Sequence, residues 1–251
     1  MSKKKLAGII AGCIIVVTVV LVISLSGRGS VVTFPDPNLE TAIREALNKP
    51  SGPIHASELA GLASLTASDS GIEHLSGLQY CTNLTGLDLW HNQISDISPL
   101  ANLTNLTDID LGDNGISDIS PLANLTNLKY LYLYSNQISD ISPLANLTNL
   151  RDLSLQYNQT NDISPLANLT SLTGLDLWHN QISDISSLVN LTSLTYLYLP
   201  RNQISDILPL VNNPGLSQGD EVYLSSNPLS STSMNTYIPQ LQARGVTVHW
   251  P

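Results

Sequence analysis

The chain has 251 residues, a formal net charge of −10 and two cysteines. From Phe34 onward it holds 20 acidic and 6 basic residues, a net charge of −14, which repels phosphate backbones and argues against nucleic acid as a partner. Cys13 and Cys81 are too few for a disulfide framework.

Lys3, Lys4 and Lys5 precede an uncharged run from Leu6 to Leu25. That length of helix crosses a bilayer core, and the lysines favour a cytoplasmic N-terminus with everything after Ser26 outside. The expectation is an uncleaved N-terminal anchor, touching the membrane through this helix only. The alternative is secretion after cleavage behind the small-x-small triplet Ser24-Leu25-Ser26. The chain divides accordingly: 1–5 a cytoplasmic basic segment, 6–25 anchor or signal peptide, 26–33 linker, 34–58 an N-terminal helical cap, 59–231 repeats, and 232–251 a C-terminal helix-strand cap. In the first cap, Pro37-Asn38 opens an amphipathic helix with Leu39, Ile43, Ala46 and Leu47 on one face.

Asn92, Asn114, Asn136, Asn158, Asn180 and Asn202 recur every 22 residues. A fixed period of this size dictates a stacked architecture. Within one unit, Leu84, Leu87, Leu89, Ile94, Ile97, Leu100 and Leu103 are apolar. A single unit cannot bury them, but stacked units can. Gly86-Leu87-Asp88-Leu89-Trp90 alternates like a strand, with Leu87 and Leu89 facing in. Asn92 then turns the chain, and its amide can satisfy buried backbone groups of its own and adjoining loops. Pro99 suits the first turn of a short helix that Ser98 can cap. The period leaves little room for a full α-helix, so 3₁₀ turns are expected. Cys81 sits at a core position. The Asp96, Asp118, Asp140, Asp162, Asp184 and Asp206 column reads as capping of the short helices. After Asn202 the next turn candidate is Asn227, displaced by an insertion, which makes about eight units. "MNTYIPQLQAR", starting at Ser233, is a closing helix that Pro239 should distort, and Gly245 stops it before a final "VTVH" strand.

The cap "FPDPNLETAIREALNKP", the irregular "GIEHLSGLQYCTNL" and the repeated "NQISDISPLANLTNL" resemble the internalin-type leucine-rich repeat proteins of bacterial surfaces. The resemblance covers nearly all of the chain from residue 34 to residue 251. It implies an α/β fold: a right-handed leucine-rich repeat solenoid with a parallel concave sheet, mostly 3₁₀ turns on the convex side and a helical N-terminal cap. It also implies a non-catalytic module that binds proteins through the concave face. The array is short, and the sequence shows no immunoglobulin-like segment after the repeats and no sorting signal for the cell wall. Surface recognition, rather than host invasion, is what the resemblance leaves.

Scaffold positions barely change between units, so function should reside in the outward strand positions. These collect Asp88, Trp90, His91, Asp108, Asp110, Tyr130, Tyr132, Tyr134, Asp152, Asp176, Trp178, Tyr196, Tyr198 and Tyr223, the candidate ligand-binding residues. Tyr and Trp combine apolar area with a polar handle, although aromatics also favour strands for their own sake. The acids and aromatics favour a basic or aromatic-rich protein ligand. A carbohydrate stacking on Trp90, Trp178 and the tyrosines is the alternative, and a passive surface element the third reading. Asp108, Asp110, Asp113 and Asp88 could approach a hard cation, but without a calcium loop they read as a solvated acidic patch. His91 and His179 lie four strands apart, roughly 19 Å, too far to share an ion. No nucleophile motif or phosphate loop is present, and an open sheet lacks the pocket that raises a glycosidase acid. No catalytic residue, cofactor or metal is expected.

Overall fold

The computed structural model describes residues 29–251; the basic segment, the apolar run and the start of the linker lie outside them. Among the described residues no helix is long and apolar enough to cross a membrane. The period seen in the sequence becomes a parallel sheet of nine three-residue strands in strict chain order. They are β3 (Ser64–Thr66), β4 (Gly86–Asp88), β5 (Asp108–Asp110), β6 (Tyr130–Tyr132), β7 (Asp152–Ser154), β8 (Gly174–Asp176), β9 (Tyr196–Tyr198), β10 (Glu221–Tyr223) and β11 (Thr247–His249). Leu84, Leu87, Leu89, Ile94, Ile97, Leu100 and Leu103 are all buried, and their equivalents join one hydrophobic core from Val32 to Val246, except where Thr160 and Asn213 put a buried polar side chain at the Ile94 and Leu103 positions.

The turn asparagine stitches consecutive units together. Asn136 Nδ2 donates to the carbonyls of Leu111, Leu133 and Tyr134 at 3.0–3.1 Å, and its Oδ1 accepts from Ile116 N at 2.9 Å. Asn92, Asn114, Asn158, Asn180 and Asn202 repeat the pattern. The displaced Asn227 also keeps it, donating to Leu199 O and Leu224 O. Just before each of them the chain passes through the left-handed region. Asp69, His91, Asp113, Ser135, Tyr157, His179, Arg201 and Ser226 all have φ between 50° and 60°. Side chains larger than glycine rarely adopt this conformation; from His91 onward it precedes a turn asparagine, and in the first unit Asp69 precedes Ser70, whose Oγ donates to Ser68 O.

On the opposite side, 3₁₀ turns begin at Ser98, Ser120, Ser142, Ser164 and Ser186. Ser98 does not cap its turn, contrary to expectation. Asp96 Oδ1 accepts from Ser98 N at 2.8 Å, and the same bond recurs in the following units. A carboxylate two residues ahead reaches this N–H, whereas the residue at the start of the turn, Ile97, has no polar side chain to offer. At the insertion the turn widens to an α-helical one, α3 (Leu208–Asn212).

Both ends of the stack are closed. An antiparallel pair, β1 (Val31–Val32) with β2 (Ile54–His55), flanks α1 (Pro37–Ala46), and α2 (Ala56–Leu59) follows. In α1, Leu39 and Ile43 are buried, but Ala46 is exposed, contrary to the sequence reading. Ala42 and Leu47 pack on the core on either side of it. Asp36 caps α1 and ties it to the stack: Oδ1 accepts from Asn38 N and Leu39 N, Oδ2 from Glu73 N and His74 N. At the other end a π-turn, Ser233–Tyr237, absorbs the distortion ahead of Pro239 and leads into α4 (Ile238–Ala243). Arg244 then donates to the carbonyls of Val211, Asn213 and Leu216, fixing the insertion. β11 completes the sheet on β10.

Asn136→Ala should leave the buried Ile116 N–H without a partner, at about 1–3 kcal/mol, while the carbonyls of Leu111, Leu133 and Tyr134 each keep one other donor, in Asn114 Nδ2, Asn158 Nδ2 and Asp113 N. Thermal melts should show it far less stable than Tyr132→Ala; the opposite order would refute the assignment of Asn136 to the scaffold. A second expectation concerns acid. Burial disfavours the Asp36 charge, but four backbone N–H donors outweigh this and hold its carboxyl below the ordinary range. Its stabilisation is therefore complete above the unfolded-state pKa of about 3.9 and disappears as pH falls through the lower folded value. Acid melts of Asp36→Ala should lack this part of the loss, and an unchanged acid limb would count against the role of Asp36.

Candidate functional site

The strands pair in register, so outward residues form straight rows across the sheet. Gly86, Asp108, Tyr130, Asp152, Gly174 and Tyr196 make one row. Asp88, Asp110, Tyr132, Ser154, Asp176, Tyr198 and Tyr223 make the next. Tyr130 stands exposed, while Tyr132 and Tyr134 are half-buried. The Tyr134 ring lies over Gly112, where any Cβ would collide with it.

This tyrosine row is a ridge between two hollows. One, of about 450 Å³, is floored by β3 to β5 and lined by Asp88, Asp108, Asp110, Tyr130 and Tyr132. The other, of about 410 Å³, is floored by β7 and β8 and lined by Tyr132, Tyr134, Asp152, Ser154, Asp176 and Tyr196. Beyond it Tyr196, Tyr198, Tyr223 and His249 follow one another with ring centroids 4.5, 3.9 and 4.0 Å apart, the first pair tilted and the other two stacked. On the rim Tyr157 packs against Trp178 at 4.7 Å and His179 at 4.9 Å, and the Arg201 guanidinium lies 6.0 Å over Trp178.

Charge on this face is held under tension. Burial pushes the carboxyls of Asp110, Asp152 and Asp176 above their ordinary range. Nearby charge adds to the rise, from Asp88 on Asp110 and from Asp152 on Asp176, while N–H donors from Gly112 and Trp178 partly offset it. Burial, then the neighbouring carboxylates, raises the Tyr132 hydroxyl and moves that of Tyr134 up to about 12. The hydroxyls therefore stay neutral near pH 7. His91 sits on the rim between Asp113, with Nδ1 2.5 Å from Oδ2, and Asp69, with Nε2 3.7 Å from Oδ1. The bond to Asp113 raises its pKa.

The four acids weighed for a cation are not gathered around one point. Asp113 turns to His91, Asp108 takes the Thr107 hydroxyl, and Asp88 and Asp110 accept from Trp90 N and Gly112 N. Among the described residues no group of three or more His, Cys, Asp or Glu side chains is placed to hold a metal ion. Cys81 is fully buried, which pushes its thiol up to about 12.

A family model for leucine-rich repeats matches residues 82–124, 126–168 and 170–213. The crystal structure of an internalin C2 from Listeria monocytogenes matches at 40% identity and a TM-score of 0.79, covering 87% of this chain and 94% of that one. This chain belongs to the internalin-type leucine-rich repeat family. Internalin H of the same species is 42% identical over 66 residues, 26% of this chain and 12% of that protein, so the chain spans a small part of that relative. A leucine-rich repeat protein of Leptospira interrogans shares the fold at 22% identity and a TM-score of 0.63. The internalin-type fold is an interaction scaffold rather than a catalytic one.

Within this internalin-type array the structure brings Asp88, Asp108, Asp110, Tyr130 and Tyr132 around one hollow, and Asp152, Asp176 and Tyr196 around the other. Tyr198 and Tyr223 belong to the stack beyond. Trp90, His91 and Trp178 stand at the rim, the two tryptophans four units apart. Sequence reasoning put Ser154 and Gly174 on the outward rows without singling them out, and it missed His249. The first two carry no chemistry that pattern alone can flag. His249 was visible as the end of the alternating "VTVH", but its place beside Tyr223 depends on the register of β11.

A carboxyl raised in the folded state binds its proton more tightly there, so its effect on stability becomes less favourable as pH rises from the unfolded value through the folded one. Asp152→Asn and Asp176→Asn should therefore raise the melting temperature at pH 7. The gain should vanish near pH 3. Calorimetric melts at the two pH values check this, and destabilisation at pH 7 would contradict it.

Proposed function

We propose that this chain is an extracytoplasmic recognition module whose concave face binds a protein partner with a basic or aromatic-rich surface. The observation that supports it best is the pair of acid-lined hollows flanking the Tyr130, Tyr132 and Tyr134 ridge. Desolvated carboxylates cost stability, and a fold selected for stability alone would have no use for them. Exposed central aromatics are the kind of residue on which binding energy concentrates. In this reading Asp88, Trp90, His91, Asp108, Asp110, Asp152, Asp176, Trp178, Tyr196, Tyr198 and Tyr223 surround that ridge as the contact surface, and no residue acts catalytically. Residues 6–25 anchor the chain with the repeats outside the cytoplasm, or are removed on secretion; protease added outside intact cells should digest the repeats in the anchored case.

A carbohydrate ligand is the second reading, favoured by the exposure of Trp90, 41% accessible at the rim. A glycan array set against pull-down with the full chain separates the two. With a partner in hand, Tyr132→Ala should weaken binding more than about tenfold, the cost of a central aromatic. Asp110→Asn should chiefly slow association and reduce its salt dependence. Asp140→Asn, whose carboxylate only accepts from Ser142 N on the far side, should do neither. Surface plasmon resonance in which Asp140→Asn harms binding and Tyr132→Ala does not would overturn the concave-face reading.

A further inference from the structure

The two hollows are not equivalent, and one of them is chemically unfinished. Ser154 is only 7% exposed, and its Oγ has no hydrogen-bond partner. It lies on the outward row between Tyr132 and Asp176, so it faces the hollow between β6 and β9. Asp88, Asp110 and Asp176 each accept from a backbone N–H two residues on. Asp152 accepts no hydrogen bond from any described residue. A Cβ on Gly174 would come 2.8 Å from Asp152 Oδ2, so the glycine lets this carboxylate lean across β8. There its charge raises Asp176. One hollow thus holds two crowded carboxylates and an orphaned hydroxyl over a glycine floor, between the rings of Tyr132 and Tyr196.

This set is rich in acceptors and short of donors. What completes it carries positive charge, several N–H donors and no acceptor. A guanidinium has five donors in a planar fork that matches carboxylates, and it favours aromatic faces. An ammonium is a compact charge with three donors and lacks the fork. The hollow, at about 410 Å³, has room for a whole side chain. We propose that the hollow between β6 and β9 is a subsite for one arginine side chain of the protein partner. This rests on the concave-face reading above and adds to it the residue type recognised at one place. The hollow over β3 to β5 has acids of the same kind but no orphaned polar group, which makes it an internal control.

The test is a titration of the full chain with N-acetyl-arginine amide, followed by backbone amide chemical shifts. Saturable shifts should appear at Ser154, Gly174 and Asp176, and N-acetyl-citrulline amide, which is neutral and nearly isosteric, should produce none. The double change Asp152→Asn and Asp176→Asn should weaken binding by at least about tenfold, the scale of charge-assisted bonds. Ser154→Ala should weaken it by at least about threefold, the scale of one lost hydrogen bond. Equal response to citrulline, tighter binding of N-acetyl-lysine amide, larger shifts at Gly86 and Asp110 than at Gly174, or indifference to the double change would each overturn the subsite. The concave-face reading fails separately, when Tyr132→Ala leaves partner binding intact.

Discussion

The amide of one turn asparagine per unit, from Asn92 to Asn227, is the constraint from which the rest follows. A turn every 22 residues must bury backbone N–H and C=O groups, and unpaired ones are costly. The asparagine supplies both a donor and an acceptor, and it reaches the preceding unit as well as its own. This bridging fixes how units sit on one another. It also holds the residue before it in the left-handed conformation, which points a side chain such as His91, Tyr157 or His179 at the rim. Strand register follows, because Leu87 and Leu89 must enter the core while their neighbours cannot. The straight rows of acid and tyrosine are therefore a by-product of solving a polar problem at the turn.

On that scaffold the concave face departs from what stability favours. Carboxylates of Asp110, Asp152 and Asp176 lie where burial opposes their charge, and Ser154 is buried without a partner. Several polar groups elsewhere are well matched: Asp36 has four backbone donors, Asp96 and its equivalents each accept one, and Arg244 has three carbonyls. Asp36 and Asp152 are the same residue type with opposite displacements of their carboxyls. The difference is the number of N–H donors aimed at each. On the convex side Ser187 Oγ is also buried without a partner, but only on the concave face does an orphaned hydroxyl lie beside carboxylates whose charge burial opposes, which marks that face as the one shaped by contact with something else.

Identical strands do not make identical surroundings. Gly-Leu-Asp-Leu-Trp-His occurs at β4 and again at β8. The first copy lies beside the acids of β5, so His91 is held between Asp69 and Asp113. The second lies between β7 and β9, so His179 stacks on Tyr157, and Arg201 rather than an acid lies nearby over Trp178. The ligand-facing chemistry is set by neighbours one unit away, 22 residues distant in sequence and one strand spacing apart in space.

The sequence by itself determined the solenoid. Its period, its apolar positions and its asparagine column admit one way of burying the leucines, and the outward rows could be read directly from alternation. It also singled out Tyr130, Tyr132, Tyr134 and the acids, since they are what varies where everything else repeats. The tertiary structure decided the rest. It showed that, of the two caps the sequence offered, Asp96 and not Ser98 closes the convex turn, and that Ala42 and not Ala46 meets the core, because both depend on how close one piece of backbone comes to another. It divided the acidic face into two hollows, leaned Asp152 over Gly174, left Ser154 without a partner and placed His249 against Tyr223. Pattern reports which side of a sheet a residue occupies. Only packing decides which neighbours crowd it, how far water is excluded and whether its hydrogen bonds are met.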